Sequence, residues 1–144
     1  MKRTLIYNAI LVNDGKQQRG SVLIEDGQIA QVFTNEKPLT VRYTDYVDAT
    51  GCYLLPGVID EHVHFRDPGL THKADIHTES MAAAAGGVTS IMDMPNTQPQ
   101  TTTMPTWEEK MQLMEQKCVV NYACFFGATN SNYDLLSKLD RHHT

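Results

Sequence analysis

The sequence predicts an α/β fold in which a parallel sheet follows a short β-rich segment. Two observations carry that reading. Beyond Gly51, apolar runs alternate with helix-forming stretches to give three strand–loop–helix units, with strands roughly thirty residues apart, the pattern of a parallel sheet. Before Gly51, the chain holds only short runs of β-branched, aromatic and aliphatic residues, separated by Asn, Asp and Gly. The boundary falls after Cys52, with residues 1–52 as the β segment and 53–144 as the βα units.

Thr4–Val12, rich in Leu, Ile, Tyr and Val, reads as a strand ended by Asn13-Asp14-Gly15. Ser21–Glu25 reads as a second strand, and Asp26-Gly27 after it is a strong hairpin signal. Gln28–Phe33 alternates polar and apolar residues like a half-buried strand. Asn35–Pro38 marks a loop, and Tyr46–Ala49 adds one more short strand. A small antiparallel sheet is expected here, one that needs further strands or a neighbouring domain for stability.

Tyr53–Phe65, with its run LLPGVI, is expected to be the first strand of the parallel sheet. Ile76–Ala85 has high helix propensity, and Gly86-Gly87 supplies a stop. Val88–Met94 reads as the second strand and Pro95–Thr103 as a loop. Thr106 is placed as the cap of a helix over Trp107–Lys117, with Glu109 in the capping-box position. Cys118–Phe126 is the third strand, Gly127–Asn132 a loop and Tyr133–Leu139 the third helix.

This spacing suits either a doubly wound sheet or a (β/α)8 barrel. A full barrel takes ~250 residues, and fewer than half of those follow Gly51. The alternatives are then a small open sheet or the front part of a longer protein. The ending at Asp140–Thr144, past a helix that no fourth strand follows, favours the second. A sheet cut off in this way leaves a bare edge and an apolar face. Association is therefore expected, as a homo-oligomer (a dimer) or with the missing remainder.

Of the 144 residues, 41% are apolar, enough for a packed core. Twelve Lys+Arg against 17 Asp+Glu give a formal charge of −5, which provides no basic stripe for nucleic acid. No stretch approaches the ~20 apolar residues of a membrane span. The opening MKRTLIYNAILVNDG is broken by Asn8, Asn13 and Asp14, and reads as a strand rather than a signal peptide. Cys52, Cys118 and Cys124 are an odd, widely spaced set, which argues against a disulfide framework and for a reducing, cytoplasmic setting.

The sharpest chemical feature is Asp60-Glu61-His62-Val63-His64-Phe65-Arg66-Asp67-Pro68-Gly69. On an extended strand Asp60, His62, His64 and Arg66 share one face. Two imidazoles ~6.5–7 Å apart along that face can converge on one metal ion, and neutral imidazole is a good zinc ligand. Arg66 can grip a carboxylate bidentately and so position a small acidic substrate, or pair with Asp67 or Asp60. Met92-Asp93-Met94-Pro95-Asn96-Thr97 ends the next strand, ~4.8 Å away in a parallel sheet, so Asn96 is expected beside the His/Arg cluster. The bland role for Asn96 is an Asx turn.

His72 and His77 read as solvated, and His142 and His143 carry no metal role. Met104–Met114 has helical spacing and reads as core packing. Gly86 and Gly87 follow a helix and do not make a dinucleotide fingerprint. Cys118 and Cys124 fall on the third strand and read as structural. No Ser/His/Asp nucleophile arrangement is present in the sequence.

Leu55-Pro56-Gly57-Val58-Ile59-Asp60, then His62-x-His64-x-Arg66-Asp67-Pro68-Gly69, Ala82–Thr89 (AAAAGGVT) and Met94-Pro95-Asn96-Thr97 together resemble the dihydroorotases of the amidohydrolase superfamily. The resemblance runs over most of the chain. Allantoinases and dihydropyrimidinases share the H-x-H pattern; the arginine two residues later, with M-P-N-T, favours dihydroorotase.

The resemblance implies a zinc enzyme of pyrimidine biosynthesis that interconverts N-carbamoyl-L-aspartate and L-dihydroorotate. It implies a (β/α)8 TIM-type barrel, of which this chain holds the first three βα units, and a small β-sandwich built partly from the N-terminal segment. His62 and His64 would bind zinc, as one or two ions, and His64, Arg66 and Asn96 would contact the substrate. The family's bridging Lys or Asp, two further histidines and catalytic Asp have no counterpart in these 144 residues. Two imidazoles fall short of the three protein ligands of a catalytic zinc. If the chain ends at Thr144, it is therefore expected to bind zinc weakly and to be inactive alone. The rivals are an allantoinase- or hydantoinase-like cyclic amidase, and a non-catalytic homologue that partners aspartate transcarbamoylase.

Overall fold

The computed structural model describes residues 2–34 and 40–139. The loop expected at Asn35–Pro38 and the terminal Asp140–Thr144, with His142 and His143, lie outside the described residues. The chain divides into two compact units, Met1–Pro56 and Gly57–Thr144.

In the first unit, strands β1 (Arg3–Asn13) and β2 (Lys16–Glu25) form an antiparallel hairpin, and β3 (Gln28–Thr34) pairs antiparallel with β2. Asp26 and Gly27 both have positive φ, 47° and 84°, the geometry of a two-residue turn that matches strand twist. Strands β4 (Asp45–Asp48) and β5 (Tyr53–Leu54) pair parallel with β1. The sheet order is β3-β2-β1-β4, with β5 also beside β1. The expected all-antiparallel sheet is thus corrected to a mixed one. After β3 the chain crosses to the far side of β1 and runs in its direction, a long-range pairing that strand periodicity does not encode. Ala9, Leu11, Val22 and Ala49 form the core of this unit, with Ile6, Ile24 and Leu54 packed against it. The expected half-burial of Gln28–Phe33 is corrected too. As an edge strand, β3 leaves Ile29 and Val32 exposed, and only Phe33 is half-buried.

The second unit is a three-stranded parallel sheet in the order β6-β7-β8, comprising β6 (Val58–Val63), β7 (Val88–Asp93) and β8 (Asn121–Cys124). Helix α1 (Ile76–Ala85) joins the first two strands and α2 (Met104–Lys117) the next two. The short α3 (Tyr133–Leu136) follows β8. Tyr53–Phe65 is therefore not one strand. Tyr53 and Leu54 belong to the first sheet, and Pro56, which has no N–H for a ladder, precedes β6. Phe65, Ile76, Ile91, Met114 and Cys124 form the core, with Val63, Val88, Trp107 and Met111 against it.

Both longer helices are capped by side chains. Asp75 accepts the N–H groups of His77 and Thr78 at the start of α1, and Gly86 closes the helix. The cap of α2 is Thr103, three residues ahead of the expected Thr106. Thr103 Oγ1 accepts the Thr106 N–H, and Thr106 Oγ1 accepts the Thr103 N–H in return, so Thr106 is the inner half of the box. Cys118 caps the other end of α2 rather than lying on the third strand, which shortens to four residues; α3 is shorter than expected as well. Among the described residues no helix is long and apolar enough to cross a membrane.

Candidate active site

The carboxyl ends of β6, β7 and β8 lie side by side, the place where parallel α/β sheets gather functional side chains. Val63 stands level with Asp93, and Asp93 with Cys124. The Met94 N–H donates to the Val63 carbonyl and the Phe125 N–H to the Asp93 carbonyl, each at 2.9 Å, so the ladders continue just past the strand ends.

His62 sits on β6 and His64 one residue beyond its end. Their ring centroids are 5.2 Å apart, edge to face. Two imidazoles bound at ~2.0–2.1 Å to one tetrahedral ion have ring centres about 5 Å apart, so this separation suits a shared cation. Asn96 Oδ1 lies 2.9 Å from His64 Nδ1. A carbonyl oxygen can only accept, so this contact calls for a hydrogen on Nδ1, which in the neutral ring leaves the Nε2 lone pair to a metal, as in metal-ligating histidines held by an outer partner. Among the described residues no three of His, Cys, Asp and Glu come together to hold a metal. By itself the pair is two donors, fewer than a catalytic zinc takes.

Arg66 lies beyond the strand whose alternation set its expected face. Strand β6 ends at Val63 and Arg66 has φ 66°, in the left-handed region, so strict alternation does not carry through to it. Neither expected carboxylate partner takes its guanidinium. Asp67 pairs with Lys117 at 2.6 Å, and Asp60 accepts the His62 N–H at 3.1 Å. Among the described residues Arg66 has no ion pair, which leaves its charge for an acidic ligand. Asn96, its oxygen committed to His64, keeps two amide hydrogens for a carboxylate.

A depression of about 490 Å3 lies at the strand ends, lined by Glu61, His62, Met94, Pro95, Phe125 and Phe126. His64, Arg66 and Asn96 are not in its wall. The loops after β6 and β7 are tied together, with Gln98 N–H donating to the Pro68 carbonyl at 3.1 Å. Gly69 makes that approach possible. Its φ is 83°, and a Cβ there would strike the Gln98 carbonyl oxygen.

Two residues escaped the sequence reading. Asp93 and Lys110 are both fully buried and form an ion pair at 2.8 Å. The other oxygen of Asp93 accepts the Phe65 N–H at 2.9 Å, and Lys110 Nζ donates to the Met94 carbonyl at 2.7 Å. The signal was present. Lys110 falls three residues after Trp107 and four before Met114, on the apolar stripe of its helix, and Asp93 interrupts an otherwise apolar strand end. His72 is exposed as expected; His77 is exposed too, with Nδ1 3.3 Å from the Lys117 carbonyl. Met114 is fully buried, in keeping with core packing.

Successive parallel βα units with polar side chains collected at the strand ends define an α/β protein of the kind that binds small molecules there. Residues 51–129 match the family described as Dihydro-orotase-like. The chain is 45% identical over 106 residues to a dihydroorotase of Carboxydothermus hydrogenoformans, covering 72% of this chain and 24% of that protein. It is 38% identical over 136 residues to an allantoinase of Deinococcus radiodurans, covering 94% and 30%. Among solved structures, the L-hydantoinase (dihydropyrimidinase) of Arthrobacter aurescens superposes with a TM-score of 0.88 at 32% identity, covering 96% of this chain and 30% of that one. The chain belongs to the dihydro-orotase-like family, and spans less than a third of the length of each of these relatives.

Proposed function

We propose that this chain carries the opening part of the active site of a zinc-dependent dihydroorotase, which interconverts N-carbamoyl-L-aspartate and L-dihydroorotate in pyrimidine biosynthesis. On this reading the three βα units are the first of a (β/α)8 TIM-type barrel and residues 1–52 are part of a small β-sandwich. The protein works in the cytoplasm as a homo-oligomer, and later strands supply the remaining zinc ligands.

The observation that carries the reading is the meeting of His62, His64 and Asn96 at the ends of two adjacent parallel strands. His62 and His64 would hold zinc through ring nitrogens, with Asn96 orienting the His64 ring. A zinc ion held there would supply a water of lowered pKa, toward ~7, and a Lewis acid for the amide carbonyl. Arg66, which has no ion pair among the described residues, binds the carboxylate of the substrate, and the Asn96 amide hydrogens complete that grip. The two sets divide the work: one activates while the other orients the ring.

The 38% identity to an allantoinase over nearly the whole chain supports a second reading, a cyclic amidase for a neutral ring. A chimera separates them, with this chain replacing the matching segment of the Carboxydothermus dihydroorotase. Loaded with zinc, it should turn over L-dihydroorotate, and Arg66→Ala should cut that rate by about 10–100-fold, the worth of a charge-assisted contact, while leaving hydantoin turnover nearly unchanged. A folded chimera that opens only hydantoin or allantoin refutes the dihydroorotase reading in favour of the second.

A further inference from the structure

The Asp93–Lys110 pair is buried at the end of β7 and does not line the depression there. A buried ion pair is weak evidence for stability, since apolar residues of similar volume often serve as well. Its geometry suggests another use. One oxygen of Asp93 meets Lys110, while the other accepts the N–H of Phe65, the residue between His64 and Arg66. Phe65 is 5% exposed and its side chain is part of the core, so this peptide is held on both sides.

The backbone at that point needs holding. Arg66 has φ 66°, a conformation that costs a non-glycine residue roughly 1 kcal/mol or more. The Arg66 carbonyl accepts the Leu70 N–H at 3.0 Å, and Asp67 is fixed by Lys117. Asp93 supplies the restraint on the other side, just before the strained residue.

We propose that Asp93 is a positioning residue, whose carboxylate, neutralised by Lys110, holds the Phe65 N–H and so sets the backbone from which His64 and Arg66 project. The consequence for metal rests on the zinc reading above; the consequence for the backbone does not. Lys110 lets a carboxylate occupy the interior, and its second bond, to the Met94 carbonyl, ties the same device to the segment leading to Asn96.

Two double variants of this chain test it. Asp93→Asn/Lys110→Met keeps an acceptor for Phe65 without buried charge; Asp93→Leu/Lys110→Met removes the acceptor and fills the space. Both lose the Lys110 bond to Met94 equally. The asparagine variant should keep slow hydrogen exchange at the Phe65 amide and zinc affinity within about threefold of the starting chain. The leucine variant should exchange Phe65 much faster and bind zinc about 10–100-fold more weakly, as when an outer partner of a ligand is lost. A backbone ester in place of the Phe65 amide removes the N–H with the ion pair intact, and should give the same loss of zinc affinity should the leucine variant fail to fold. Equal Phe65 exchange and equal zinc affinity in the two double variants overturns the proposal, as does an ester variant that binds zinc as tightly as the amide. If the unaltered chain, with only two of the ligands, binds no measurable zinc, the Phe65 exchange difference alone upholds or overturns the role of Asp93, and the zinc reading is decided by the chimera.

Discussion

Asn96 brings its side-chain oxygen to 2.9 Å from His64 Nδ1, and by doing so decides which ring nitrogen of His64 is free. The bond joins the loop after β7 to the end of β6, so the orientation of the His64 ring depends on the neighbouring strand.

Asn96→Ala removes that acceptor and lets the imidazole turn and exchange tautomers. Zinc affinity should fall about 10–100-fold, as read by competition with a chromophoric chelator, with little change in thermal midpoint because Asn96 is exposed. Asn96→Asp, which keeps an acceptor oxygen, should restore most of the affinity.

Lys110→Ala strands the carboxylate of Asp93 in the interior. Loss of one partner of a buried pair costs about 3–5 kcal/mol, and urea unfolding should show a destabilisation of that size. A loss below about 1 kcal/mol would mean that water reaches the pair, against its complete burial.

Burial pushes the Cys124 thiol up to about 12; nearby Lys110 draws it down in part, while Asp93 pushes it up. The sign follows from the raised value. The folded chain holds this proton more tightly than the unfolded one, so the contribution is fully present below about pH 9 and is lost as pH rises toward about 12. Stability should decline across that alkaline window, and Cys124→Ala should flatten the decline. At pH 8 a thiol reagent should label the exposed Cys52 quickly and Cys124 only upon unfolding.

Asp75 works in the opposite direction. The Thr78 N–H, its hydroxyl and the His77 N–H hold the Asp75 carboxyl below the ordinary carboxylate range. The cap is therefore fully effective above about pH 4 and weakens as acid protonates it. Circular dichroism should show less acid sensitivity of α1 in Asp75→Asn than in the unaltered chain.

What was legible in the sequence is what depends on local patterning. Ile76–Ala85 could be bounded because an alanine-rich run meets a glycine pair, and the closeness of His62 and His64 reflects their separation by one residue, although β6 is irregular between Asp60 and Val63 and ends before His64. Pairing partners far along the chain were not legible. The parallel placement of Asp45–Asp48 against Thr4–Tyr7 has no periodic signature, and neither does the return of Tyr53–Leu54 to the first sheet. Alternation alone does not set the direction of Arg66, because β6 ends at Val63 and Arg66 has positive φ. Asp93 and Lys110 each stand as a charge among apolar positions, but only the fold brings the two together as a pair.

The central claim is that His62 and His64 bind one cation together. Zinc affinity of the purified chain, measured against a chromophoric chelator beside His62→Ala and His64→Ala, tests it most directly. The account predicts weak, saturable binding that either substitution abolishes without unfolding the chain. Equal zinc binding by all three proteins would contradict it.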